Sequence, residues 1–214
     1  MAAGADPRDH TWAAAWMCVT LTRGLDTAQV FSRYGADPAR ARPLDADAAS
    51  DLLGDEPPAG EISLLRAGRI GDMAFCVEEE GAVGFEDDVL AKLSLGTETW
   101  GVSATDGMEV FQHWRDGECV EYFEPGMEHT RAPRPGPWWD RVQEALLAPG
   151  YEDLGMAPVV ALVLDHLGVT LDDTTLAGPW PTLTLSPDDE PTEPLGDSYA
   201  GEGPVPPHVV VRWD

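Results

Sequence analysis

Between residues 99 and 124 three strand-like runs, 99–105, 108–115 and 118–124, are separated by the pairs Asp106-Gly107 and Asp116-Gly117. A two-residue type I′ turn needs positive φ at both central positions. Asp-Gly supplies it, and the turn's own twist matches that of two antiparallel strands. This stretch is therefore expected to be an antiparallel meander, and the rest of the chain has to fold around it. A turn at 116–117 predicts Arg115 opposite Glu118, Trp114 opposite Cys119, His113 opposite Val120 and Phe111 opposite Tyr122. That register pairs opposite charges and aromatic rings across the strands.

Other segments read in the same way. Residues 17–23 alternate Met17, Val19 and Leu21 against Cys18, Thr20 and Thr22, which is a strand pattern. Asp26 with Gln29 three residues later is a capping-box spacing. Leu25 and Val30 can form the hydrophobic staple, and Gly35 stops the helix. Strands at 62–67 and 73–80 flank a turn at 68–72. Helices are predicted over about 45–53, 87–95, 138–147 and 158–167, and the Trp12–Trp16 segment is helix-prone. The expected fold is α+β: a twisted antiparallel sheet of five to six strands with helices packed on one face. Its core runs through Val19, Leu21, Phe31, Phe75, Val102 and Leu162. Residues 1–185 read as one domain, with 56–60 as a linker. Residues 186–214 read as an acidic, Pro-rich tail with a short β-prone end.

Charge narrows the function classes. The 214 residues carry 39 acidic and 13 basic side chains, a net −26. Twelve of the bases are Arg and one is Lys92, and there is no Asn, a bias toward residues with GC-rich codons. Phosphate backbones and anionic membrane surfaces need clustered Lys and Arg, so both are poor partners. A basic protein is the favoured kind of partner, reached by long-range attraction that fades with salt. The competing reading is a solvated, solubilising surface. Residues 151–214 hold a single base, Arg212, so much of the excess falls in or near the tail. The cysteines, Cys18, Cys76 and Cys119, lack metal or redox spacing. They read as small core residues in a reducing cytoplasm. No secretory leader is expected at 1–10, and the longest apolar run, 157–164, is far short of the ~20 residues a membrane helix needs.

Motifs for chemistry are sparse. Asp45, Asp47 and Glu56 only faintly resemble a calcium loop: Ala49 replaces a ligand and Ser50 stands where the sharp turn needs Gly. The five His lack zinc spacing. There is no nucleophile elbow and no phosphate-binding loop. No catalytic residue, cofactor or metal is called for. Glu78-Glu79-Glu80 reads as a solvated strand end. Arg66 and Arg69 flank a hairpin tip, where they could clamp an anion or pair locally with acids. His113, Trp114 and Tyr122 are candidates for a site on an open sheet face.

Several stretches together resemble a family of uncharacterised actinobacterial proteins, a domain of unknown function. They are Cys18-Val-Thr-Leu-Thr-Arg-Gly24 with the helix after it, Met73-Ala-Phe-Cys-Val-Glu-Glu-Glu80, 89–96, 117–125 and Gly168-Val-Thr-Leu171. The resemblance covers roughly residues 12–175, with Met73 where the family pattern favours Trp. It implies an actinobacterial, intracellular protein and carries over no activity or site residue. The sequence reading is thus an acidic, cytoplasmic protein-binding module, of the immunity or antitoxin kind, that masks a basic partner. The alternative is an enzyme or small-molecule binder using the sheet face.

Overall fold

A computed structural model describes residues 5–14, 16–53, 62–105, 107–131 and 136–186. The linker at 56–60 and, from residue 187 on, the tail and its β-prone end lie outside the described residues. Eight strands form one sheet: β1 Met17–Arg23, β2 Arg42–Leu44, β3 Ser63–Ile70, β4 Met73–Glu79, β5 Glu98–Thr105, β6 Met108–Arg115, β7 Glu118–Phe123 and β8 Trp180–Leu185. Their order is β2-β8-β3-β4-β1-β5-β6-β7, and every neighbouring pair is antiparallel. Among the described residues the helices are α1 Thr27–Arg33, α2 Ala46–Ser50, α3 Asp87–Ser94, α4 Trp138–Leu146, α5 Ala157–Leu167 and α6 Asp173–Ala177, with short 3-10 turns between elements.

The sheet is wider than expected, eight strands against five to six. The two extra strands carry prolines, which argue against a strand in a sequence reading. Here Pro43 of β2 and Pro181 of β8 face each other at the sheet's edge. The expected turn at 68–72 is also tighter, because β3 runs on to Ile70 and pairs it with Met73.

Helices cover both faces rather than one. α4, α5 and Leu176 of α6 pack on Val19, Leu21, Phe75, Val102, Phe111 and Phe123. α1 and α3 pack on the other face over Ala67, Ala74, Cys76 and Trp114. The strands are buried on both sides, yet the second face is built of small or hydroxyl-bearing residues that alternation reads as solvent-facing. Thr20 and Thr22 are 1 % exposed. Their hydroxyls are satisfied, Thr20 by Tyr34 at 2.9 Å and Thr22 by Thr99 at 3.0 Å, so burial carries no unpaired-group penalty.

The capping box at Asp26 and Gln29 forms as expected, with Asp26 Oδ1 accepting from Gln29 N–H at 2.8 Å and Gln29 Oε1 from Asp26 N–H at 2.9 Å. Asp116 and Gly117 both take positive φ, 52° and 82°, as a type I′ turn requires. Arg115 faces Glu118 and Trp114 faces Cys119, as expected. A bulge between His113 and Trp114 then shifts the register. His113 faces Glu121 instead of Val120, and Phe111 faces Phe123 instead of Tyr122. The shift turns Phe123 into the core, 5.1 Å from Phe111 between ring centres. Other departures are local. Trp12–Trp16 makes only a 3-10 turn at Thr11–Ala13, Leu162 is half-buried, and Cys119 is exposed rather than a core residue.

Candidate functional site

The five candidate residues are not brought together. Arg66 and Arg69 differ by an odd number of positions on β3 and leave opposite faces of the sheet, so they cannot clamp one anion. Arg66 is 1 % exposed and donates through Nη2 to the carbonyls of Leu176 at 2.9 Å and Gly178 at 3.2 Å. It ties the end of α6 to the sheet. Arg69 donates through Nε to the Gly71 carbonyl at 2.9 Å. Trp114 and Tyr122 lie on the α3 face. Trp114 is buried, with Nε1 donating to Gln112 Oε1 at 2.9 Å, and Tyr122 is half-buried opposite Gln112. His113 points to the other face. The sheet itself separates the three, and helices cover both sides.

Two buried glutamates went unrecognised in the sequence, one on each face. Glu78, expected at a solvated strand end, is fully buried and accepts from the backbone N–H groups of Val83 and Gly84, both at 2.8 Å. Glu121 is 2 % exposed and accepts from Trp138 N–H at 3.2 Å and Trp139 N–H at 3.0 Å. Each carboxylate satisfies the orphan amides at the start of a helical turn. A Cβ at position 136 would run into the Glu121 carboxylate, so only glycine fits there. The carboxyl of Glu78 is raised above its ordinary pKa by burial, against the pull of its hydrogen bonds. Neither residue is free to act on a ligand.

The two ends of the sheet differ in charge. At one end, β1 and β6 finish in Arg23 and Arg115, and Arg69 is the penultimate residue of β3. Arg23 binds Asp72 at 2.8 Å, Arg115 binds Glu98, and Lys92 of α3 binds Asp88 at 2.9 Å. Arg33 caps α3, its Nη1 donating to the carbonyls of Lys92 and Leu93, each at 2.9 Å. His113 lies beneath this end, stacked on Trp100 with ring centres 4.9 Å apart and planes 9° apart. Its Nε2 is 4.0 Å from Glu98 Oε1, too far for a hydrogen bond, and neither ring nitrogen has a partner among the described residues. Burial, opposed by Glu98 and aided by Arg115 and His166, pushes its pKa down to about 4.

At the other end the acids lack partners. Glu109 stands opposite Ala104, Ala104 opposite Met17, and the next position on β4 beyond Met17 is Glu79. At ~4.8 Å per strand, Glu79 and Glu109 are about 14 Å apart along one row of one face. Among the described residues Glu79, Glu80, Glu109 and Glu124 form no ion pair. A cleft of about 250 Å³ opens here, lined by Trp12, Trp16, Met17, Val77, Leu176 and the two carboxylates Glu79 and Glu80. Trp16 is 45 % exposed. Glu80 takes φ 65°, a left-handed conformation uncommon for a non-glycine residue. Burial raises the pKa of Glu79, and the Arg66 charge opposes that rise. A second concavity, lined in part by Met108, Glu109, Glu124 and Met127, adjoins along β5 and β6. Arg131, a nearby base, is stacked on Trp139 at 4.8 Å. A partly desolvated carboxylate beside an exposed indole suits a cation better than an anion or a neutral ligand.

Among the described residues no three His, Cys, Asp or Glu groups could hold a metal ion, and no helix is long and apolar enough to cross a membrane. No curated protein and no solved structure matches the chain. A family profile does, over residues 5–155, a span that holds β1 to β7 and α1 to α4. The chain belongs to that family, DUF6461, a family of unknown function.

Proposed function

We propose that this protein is an acidic binding module that masks a basic partner protein, with Trp16, Glu79, Glu80, Glu109 and Glu124 as the docking end. The observation that carries the reading is the division of charge along the sheet. Most of the bases near one end are held by acids or helix carbonyls, while the carboxylates of the other end are unpaired and frame a tryptophan-lined cleft. Arg and Lys side chains on a partner would meet both carboxylates and indole faces there, and a net charge of −26 would steer such a partner in. An immunity or antitoxin role fits a module whose task is to cover a cationic surface. Three cysteines without a disulfide and the Arg-over-Lys, GC-rich composition support a cytoplasmic protein of actinobacterial origin.

Titration of the full chain with a deca-arginine peptide, followed by tryptophan fluorescence, tests the docking end. Saturable binding is expected at low salt, weakened at least about tenfold by Glu79→Gln with Glu80→Gln. Equal binding by the variant, with loss only on removal of residues 187–214, would assign the attraction to the tail and overturn the reading.

A further inference from the structure

A second cavity shares none of the docking end's lining residues. It has a volume of about 200 Å³ and is bounded by two segments distant in the chain. One is the N-terminal turn with Asp6, Asp9 and His10; the other is the connection from α5 to α6 with Asp165, Gly168 and Asp172. Four carboxylates thus line one cavity. Asp6 is partly neutralised by Arg8 at 3.7 Å, and Asp172 caps α6 by accepting from Thr175 N–H at 2.7 Å. Asp9 and Asp165 form no ion pair among the described residues. The C-terminus of α5, an 11-residue helix ending at the left-handed Gly168, adds the negative end of its dipole.

His10 supplies the independent pointer. It is 1 % exposed, it lines the cavity, and neither ring nitrogen makes a hydrogen bond of acceptable geometry among the described residues. The Leu171 carbonyl, which accepts from Trp12 Nε1 at 3.1 Å, also lies beside the ring and can engage one ring N–H, which leaves the other nitrogen without a partner. Burial lowers the imidazole pKa despite the surrounding aspartates, so at neutral pH the ring keeps a free lone pair. A buried nitrogen left without a donor is costly unless a ligand or water supplies one.

We infer that this cavity is a binding site for a small alkyldiammonium ion, held between the Asp6 and Asp9 side and the Asp165 and Asp172 side, with one ammonium N–H donated to His10. The donors are too dispersed to hold a metal ion, whereas a short carbon chain with a charge at each end spans both segments. At roughly 30 Å³ per water-sized group, the volume admits a chain of about six such groups.

The test uses the full chain, with the His10 ring resonances followed by NMR during titration with 1,4-diaminobutane. A saturable shift is expected at millimolar concentration, about tenfold weaker for Asp9→Asn with Asp165→Asn. Both of those side chains are exposed, so the variant should fold, and thermal melting checks that it does. His10→Gln should weaken binding while keeping a polar group in place. Three results would overturn the site: no saturation by about 10 mM, equal shifts from butylamine or magnesium chloride at matched ionic strength, or undiminished binding by the aspartate double variant. Deca-arginine binding at the docking end should be the same in that variant, so failure here is distinguishable from failure of the docking reading.

Discussion

The arginine end and the glutamate end of the sheet are built from the same strands but solve the charge problem differently. At the arginine end each base near the strand termini has a local acceptor: Asp72 for Arg23, the Gly71 carbonyl for Arg69, Glu98 for Arg115. At the glutamate end the carboxylates form no ion pair among the described residues, and one of them, Glu80, sits on backbone that disfavours a side chain. The lesson is that total charge says little until it is divided by position. What matters at the glutamate end is that, among the described residues, its carboxylates form no ion pair in a concave, tryptophan-lined place.

Four changes would break or sharpen that contrast. The largest effect is expected at the arginine end, from His113→Phe. The native ring stays neutral at about pH 4 and above, whereas in the unfolded chain it protonates below about 6.5. The unfolded state therefore binds the extra proton between those values, and this group's share of stability falls as pH drops from 6.5 toward 4. Full loss amounts to about 3 kcal/mol. Denaturation at pH 7 and pH 4 should show a much smaller acid loss in His113→Phe. Glu78 works in the opposite sense: its carboxyl is raised in the fold, so its protonation favours the native state as pH falls into the range just above the ordinary carboxyl value. An unchanged acid loss in the variant would show that His113 is not the group responsible.

Next in size is the response of the glutamate end to neutralisation. Glu79→Gln, Glu80→Gln, Glu109→Gln and Glu124→Gln combined should lower deca-arginine affinity by more than about 1.4 kcal/mol. Glu79→Gln takes away a charge that offsets buried Arg66, so a small fall in melting temperature is expected from that change and none from the other three. A marked fall in melting temperature would mean that these carboxylates support the fold and would erase the contrast. Third, Glu80→Gly should stabilise the protein by about 0.5–1 kcal/mol, since glycine accepts positive φ without a Cβ clash. Urea unfolding measures this directly. The smallest effect is expected for Lys92→Gln, which removes an exposed i,i+4 pair with Asp88. A loss of about 0.3–0.5 kcal/mol should disappear in high salt.

Much of the fold could be read from local chemistry. The Asp116-Gly117 turn, the Asp26 capping box and the period of β1 are decided within a few residues, and the structure repeats them. The second helical layer was hidden because Thr20 and Thr22 are neutral on a hydropathy pattern. Their burial depends on Tyr34, Thr99 and the helices that cover them. β2 and β8 were hidden because proline removes a ladder donor, a loss that matters little where two prolines face each other. Of the candidate site residues, His113 lies in a polar-aromatic cluster, while Trp114, Tyr122, Arg66 and Arg69 are held in separate places. Alternation shows why: His113 and Trp114 are adjacent on β6, and Arg66 and Arg69 are three apart on β3, so the members of each pair leave opposite faces of the sheet.

The residue order alone sets an antiparallel meander, the turn at 116–117, helix starts and a net charge of −26. Those follow from backbone preferences and charge, which are properties of short segments. Only the tertiary structure decided which acids stand alone. Arg23 meets Asp72 and Arg115 meets Glu98 because strands distant in the chain end side by side. Among the described residues no base forms an ion pair with Glu79 or Glu109, and Arg66 acts on Glu79 only at longer range. Ion pairing acts over a few ångströms, so it is set by which strand ends the topology brings together and not by the order of charges along the chain.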